Sequence, residues 1–195
     1  MQVPPDYDGT RYPDSEVEPA SSFAAVADGM QRLWTPHRIA YIESSPQEKV
    51  SSGCVFCEAP TKSDEEALIV HRGETGYVLL NLFPYNSGHL MVIPRRHVSD
   101  LAALPEEEFA DLQKLLRSAV GILLDVYKPE GMNVGMNLGR IAGAGIDQHL
   151  HWHCVPRWGG DTNFMPVIGE TKVMVEHLDG AYDRLRPRFD ARGGK

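Results

Sequence analysis

Hydrophobic positions change their spacing along the chain, and this change predicts the secondary structure. Four short apolar runs have the length and composition of strands: 68–71, 75–81, 89–94 and 131–137. The Asn86-Ser87-Gly88 tip between the second and third runs is typical of a turn that joins antiparallel strands. A fifth segment, beginning at His149, alternates polar and apolar residues and is also predicted to be a strand.

Other segments have the three- and four-residue spacing of helices. Residues 105–127 begin with Pro105 and the three glutamates 106–108, which suit the first turn of a helix. The apolar stripe of this helix is Phe109, Leu112, Leu115, Leu116, Val120, Leu123 and Leu124. A short helix is predicted over 23–34, and a last one after Thr171. Short antiparallel strands with helices, without regular alternation of the two, predict an α+β domain.

Length and charge narrow the classes of function. The 195 residues suffice for one domain, predicted over 23–195, and residues 1–22, rich in Pro, Asp, Glu and Ser, are predicted to be a disordered acidic tail. The net charge of −8 argues against a nucleic-acid surface. No apolar run reaches about 18 residues and the N-terminus lacks a signal pattern, so we expect no membrane segment and a cytoplasmic location.

The chemistry of the chain centres on three alternating histidines, His149, His151 and His153. On a strand their side chains would share one face, and Leu150 and Trp152 would face the opposite way. Three imidazoles in a row fit catalysis best. A metal-binding ladder and structural coincidence are the alternatives. Neutral imidazole is a nucleophile near pH 7 because its ordinary pKa is about 6.5.

A loop of small residues precedes the histidines. Gly143, Ala144 and Gly145, with Asn137 at the start of the loop, could bring backbone N–H groups close to a phosphate. A pattern of this kind also occurs in ordinary turns. Its position directly before the histidines favours an oxyanion cradle.

Cys54 and Cys57 form a Cys-x-x-Cys pair in a predicted loop. Two intervening residues allow both sulfurs to bind one tetrahedral ion, so the pair could be half of a zinc site. A redox pair and two buried thiols are the other interpretations. The flanking residues do not form the strand–helix context of a thioredoxin-like motif, which disfavours redox chemistry.

The string from His149 to Trp158, with the Asn81–Leu90 string upstream, resembles the histidine triad (HIT) family of nucleotide hydrolases and transferases. It is similar in particular to a bacterial branch of diadenosine tetraphosphate phosphorylase-like proteins. The resemblance covers about residues 30–190. It implies a five-stranded antiparallel sheet with a long helix and a C-terminal helix, usually paired into a homodimer.

The resemblance also implies roles in an adenine-nucleotide site. His151 would be the nucleophile and His153 a donor to the phosphate oxygens or the leaving group. Asn81 would contact the ribose, or simply form a turn. Trp158 would pack on the base or close the edge of the domain. Where many relatives carry Ser or Gln, this chain has Ala144 and Gly145, so the cradle would be mostly backbone.

Zinc-binding relatives imply the rest of the metal site. His97 and His149 match their zinc histidines and would complete a structural zinc site with Cys54 and Cys57. Such a site has no open position for Lewis-acid work.

The expected reaction is phosphorolysis of diadenosine tetraphosphate to ADP and ATP, with inorganic phosphate as acceptor. One alternative is hydrolysis of dinucleoside polyphosphates or nucleoside phosphoramidates. Others are a non-catalytic nucleotide-binding module and a metal-dependent hydrolase.

Overall fold

The computed structural model describes residues 53–168 and 173–193. The predicted tail over 1–22 and the predicted helix over 23–34 lie outside the described residues. Residues 53–162 and 173–193 belong to one compact unit, and residues 163–168 belong to another. All of the predicted site residues belong to the larger unit.

Five strands form one antiparallel sheet. In chain order they are β1 (Ile69–Arg72), β2 (Gly76–Leu80), β3 (Leu90–Pro94), β4 (Gly131–Gly135) and β5 (Trp152–Arg157). Their order across the sheet is β1-β2-β3-β5-β4, and every neighbouring pair is antiparallel. This confirms the predicted α+β class and the five-stranded sheet. Strands β2 and β3 are buried along their whole length, which explains why they appear in the sequence as unbroken apolar runs.

The structure has four α-helices among the described residues, and the two long ones pack on one face of the sheet. They are α1 (Val55–Glu58), α2 (Glu106–Tyr127), α3 (Met165–Ile168) and α4 (Leu178–Gly193), of which α3 belongs to the smaller unit. Helix α2 begins after Pro105, as predicted, and ends where Lys128 takes a left-handed conformation. Its buried stripe is Leu112, Leu116, Ala119, Ile122 and Leu123, whereas Phe109 is exposed. No helix among the described residues is long and apolar enough to span a lipid bilayer.

Different helices pack on the two faces of the sheet. Val78, Val92, Trp152 and their neighbours face α2 and α4 and form the larger core. Tyr77, Met91 and Ile93, among others, face the opposite way and pack with Phe56 of α1. The three histidines alternate in sequence with residues of the larger core. Their side chains therefore face the opposite way, and the site lies on the face of the sheet that α1 covers.

Two details of the prediction were wrong. β5 begins at Trp152, so His149 and His151 precede the strand rather than lie on it. The Leu150 amide donates to the carbonyl of Val98 at 2.8 Å, and the chain joins the ladder only afterwards. The second detail is the strand ends at the Asn86-Ser87-Gly88 turn: β2 ends at Leu80 and β3 begins at Leu90, each one residue short of the prediction, and the predicted antiparallel pairing across the turn is confirmed.

Candidate active site and metal centre

The histidines at 151 and 153 form a close pair beside the sheet. Their ring centroids lie 5.0 Å apart at 77°. His151 is buried, and His153 is half-buried. Phe56 lies against the His151 ring with 5.1 Å between ring centroids, so α1 covers the pair from one side.

Backbone contact fixes the proton of His151. Its Nδ1 lies 2.8 Å from the carbonyl oxygen of His149. Because a carbonyl can only accept, Nδ1 must carry the proton, and Nε2 of the neutral ring keeps its lone pair. Burial also lowers the pKa of His151 below its usual 6.5. The ring is therefore held as a neutral nucleophile with Nε2 as its reactive atom.

A fourth imidazole, His89, fixes the proton of His153. The Tyr85 amide donates to His89 Nδ1 at 3.0 Å, so the proton of His89 lies on Nε2. His89 Nε2 is 2.9 Å from His153 Nδ1 and donates to it. Neutral His153 must then carry its own proton on Nε2. The two catalytic candidates thus have opposite polarity at Nε2, a lone pair on His151 and a proton on His153.

The local sequence around His89 does not indicate this role. Its function depends on the pairing of β3 with β5, in which Met91 lies opposite His153. His89, two residues before Met91, faces the same side of the sheet and lies diagonally from His153. The pairing of the two strands is the signal that would have identified it.

Burial of His153 makes stability depend on pH. Desolvation, with the charge of His151 as a smaller cause, lowers the pKa of His153 from 6.5 to about 4. As the pH falls from 6.5 towards 4, the unfolded chain binds a proton at His153 and the folded chain does not, so stability present above pH 6.5 is lost in this window. We expect the free energy of unfolding of His153→Gln to fall less steeply over this window than that of the wild type. Urea titrations at several pH values measure it, with exposed His177→Gln as the control. Parallel curves for the wild type and His153→Gln would contradict the shift.

Cys54, Cys57, His97 and His149 come together beside the histidine pair. One ligand atom from each lies within 4.8 Å of all the others. His149 Nδ1 is 3.3 Å from Cys54 Sγ, and His97 Nδ1 is 3.2 Å from Cys57 Sγ. Cys54 and Cys57, named from their spacing, thus form one cluster with His97 and His149, named from the resemblance.

The chemistry of this cluster fits a zinc ion. His149 Nε2 donates to the carbonyl oxygen of Pro94 at 2.9 Å, so Nδ1, the atom that faces the sulfurs, has the lone pair. In a tetrahedral zinc site, Zn–S bonds of about 2.3 Å and Zn–N bonds of about 2.0 Å place sulfur and nitrogen roughly 3.5 Å apart. The sulfur–nitrogen distances of 3.2, 3.3 and 3.6 Å agree with this geometry.

Asn81 and Trp158, which were also predicted to be site residues, have different surroundings. Asn81 forms a turn, because its Oδ1 accepts from the Phe83 amide at 3.0 Å. Its Nδ2 lies 3.3 Å from His89 Nδ1. Trp158 lies edge-on to Tyr127, with ring centroids 6.3 Å apart, which favours the packing role.

The small-residue loop supplies fewer amides than predicted. The Gly143 amide donates to the Arg140 carbonyl at 3.0 Å, and the Ala144 amide to the Gly139 carbonyl at 3.3 Å. Both amides are therefore used within the loop. The candidate phosphate contacts in this loop are reduced to Gly145 and Asn137.

A family model described as HIT domain matches residues 62–160, which contain all five histidines of the site and the metal cluster. The chain therefore belongs to the HIT family. It is 47% identical over 156 residues to the AP-4-A phosphorylase of Mycobacterium tuberculosis, an alignment that covers 77% of this chain and 80% of the relative.

Solved structures agree with the fold. A hypothetical histidine triad nucleotide-binding protein from Sulfolobus tokodaii is 27% identical with a TM-score of 0.58, over 71% of this chain and 93% of that one. A zinc-bound histidine triad family protein from Mycobacterium smegmatis is 23% identical with a TM-score of 0.58, over 73% and 97% of the two chains.

Proposed function

We propose that this protein is a nucleotidyl transferase that cleaves diadenosine tetraphosphate by phosphorolysis, giving ADP and ATP. The observation that carries the proposal is the pair of histidines with opposite polarity at Nε2, a lone pair on His151 and a proton on His153. The similarity to the mycobacterial AP-4-A phosphorylase supports the choice of substrate.

In the first step, His151 Nε2 attacks the phosphorus atom next to one adenosine. A P–N bond forms and the bridging P–O bond breaks, so ATP leaves and AMP stays on His151. His153 Nε2–H donates to the bridging oxygen as negative charge develops there. Because His153 is neutral, it stabilises this charge by a hydrogen bond and keeps its proton, and ATP leaves as an anion.

In the second step, an oxygen of inorganic phosphate attacks the same phosphorus atom. The P–N bond breaks, ADP leaves, and His151 recovers its lone pair. Gly145 and Asn137, with Asn81 on the ribose side, are the proposed substrate contacts from the neighbouring loops. Water in place of phosphate would give AMP, which is the hydrolase alternative.

We propose a structural zinc ion bound by Cys54, Cys57, His97 and His149. The support is the donor set and the free Nδ1 of His149. When bound, the ion would supply rigidity and no Lewis-acid chemistry, because four protein ligands fill a tetrahedral site. Cys54 and Cys57 flank Phe56, so holding the two sulfurs also holds the side chain that packs on His151.

A homodimer and a cytoplasmic location are proposed as well. β4 pairs only with β5 among the described strands, so its other edge could receive a strand from a second copy. Val134 on this edge is exposed. Cysteine thiols that serve as metal ligands suit a reducing compartment.

Product analysis tests the reaction. We expect diadenosine tetraphosphate to be converted into ADP and ATP only when inorganic phosphate is present, since phosphate is the acceptor of the second step. Chromatography of the products with and without phosphate measures this. AMP and ATP formed without phosphate would establish the hydrolase, and nucleotide binding without turnover would support a non-catalytic module.

A further inference from the structure

A carboxylate outside the histidine cluster joins two parts of the site. Asp161 follows β5, and its side chain is only 9% exposed. It accepts from Arg157 Nε at 2.6 Å and Nη2 at 2.9 Å, and also from Asn86 Nδ2 at 2.9 Å. The hydrogen bond from Arg157 is the main cause that lowers the pKa of Asp161 to about 2, so the carboxylate is charged at neutral pH.

The side-chain amide of Asn86 connects the 81–89 loop to the end of β5. Nδ2 has two hydrogens, and its two acceptors, Asp161 and the Pro156 carbonyl oxygen at 3.1 Å, both belong to the end of β5 or to the chain after it. Asn86 itself belongs to the 81–89 loop. We call this contact the Asn86–Asp161 clamp.

The clamped loop also sets the position of His89. The Tyr85 amide, one residue before Asn86, donates to His89 Nδ1. The Asn86 carbonyl accepts from the His89 amide at 3.2 Å. The Tyr85 ring stacks on His153 with centroids 5.6 Å apart at 28°. If the loop moved away from β5, both the donor to His153 and the ring that covers it would move.

We propose that Asn86 and Asp161 are positioning residues that hold the 81–89 loop against the end of β5, so that His89 keeps donating to His153 Nδ1. This keeps the His153 proton on Nε2, where the leaving-group oxygen needs it. Its consequence for turnover rests on the proposed function. Its consequence for the protonation of His153 does not.

Asn86→Asp tests the clamp with almost no change in side-chain volume. A carboxylate at 86 would face the Asp161 carboxylate and the Pro156 carbonyl, and the hydrogens that now join position 86 to both acceptors would be gone. We expect the NMR-measured pKa of His153 to rise towards 6.5, because the loop would no longer cover the ring. The groups that face His153 are His89, His151 and Tyr85, and His89 and His151 are to be titrated in the same spectra.

Turnover supplies a second measurement. Two aryl esters of AMP are compared, one with p-nitrophenol and one with phenol, whose leaving oxygen is more basic and depends more on a hydrogen-bond donor. Misplacing the His153 donor should lower kcat about tenfold for the phenyl ester, with a much smaller effect on the p-nitrophenyl ester and on KM. A general loss of folded protein would lower both rates equally.

Two further variants separate positioning from general damage. Glu130 also contacts the chain after β5, because its carboxylate accepts from the Gly159 amide at 3.0 Å. Glu130→Gln changes this contact and leaves the contacts of the 81–89 loop as they are. We expect it to leave the pKa of His153 and the ester ratio unchanged. Asp161→Asn should reproduce the effects of Asn86→Asp, and it replaces that variant if Asn86→Asp does not fold.

An unchanged pKa of His153 in both clamp variants, or an equal change in Glu130→Gln, would overturn the inference. A wild type that does not turn over diadenosine tetraphosphate would refute the proposed function, and the pKa measurement would still decide the clamp.

Discussion

Replacing His151 by alanine is expected to lower kcat by roughly four orders of magnitude or more, the usual scale for removing a nucleophile. Among the described residues of the histidine pair, Nε2 of His151 is the only atom whose lone pair is left available for attack. His153 cannot substitute for it, because Nδ1 of His153 accepts from His89 and Nε2 carries the proton. Steady-state assays with diadenosine tetraphosphate and phosphate measure the loss.

The matched control is His177→Ala, which removes an exposed imidazole remote from the cluster in sequence. It should retain wild-type rates. Brief reaction of the wild type without phosphate, followed by mass spectrometry under alkaline conditions, should find AMP attached to His151. Turnover that survives in His151→Ala would remove the nucleophile from the mechanism and would favour the metal-dependent hydrolase.

Replacing Cys57 by serine is expected to remove one zinc ion per chain and to lower Tm by roughly 10 °C. A structural zinc ion contributes about 10–16 kcal/mol in small zinc-finger peptides. Here the sheet has its own core, so we expect a loss of about 3 kcal/mol, and each kcal/mol corresponds to about 2–4 °C for a domain of this size. Metal analysis by mass spectrometry and calorimetry provide the two measurements.

Cys154→Ala is the matched control, because Cys154 is a third cysteine that is fully buried in the core and lies outside the cluster. It should keep its zinc. A chelator should lower the Tm of the wild type and leave that of Cys57→Ser unchanged. A chelator that abolished turnover without changing Tm would instead indicate a catalytic metal.

Local patterns predicted the elements well and the site only in part. Pro105 and the following glutamates defined the start of α2, because helix ends depend on neighbouring residues. The alternation from His149 to Cys154 gave the correct faces, but the start of β5 depends on Val98, about fifty residues earlier. No local pattern contains that contact.

The same reason explains what was missed at the site. His89 acquires its role through the pairing of β3 with β5. Asp161 acquires its role through a hydrogen bond from the 81–89 loop, from a residue 75 positions earlier in the chain. The four-residue metal cluster was named in advance because a resemblance carries long-range information that spacing lacks. The loop amides were over-counted, since a run of small residues does not show which N–H groups the turn itself uses.

The separation of Cys54 and His149 has a consequence for biosynthesis. The two residues are 95 positions apart, and α1, which contains Cys57 and follows directly on Cys54, contributes a single buried residue to the fold. On the ribosome both thiols emerge long before the histidine that completes their site. The site with all four ligands therefore cannot form until His149 has been synthesised.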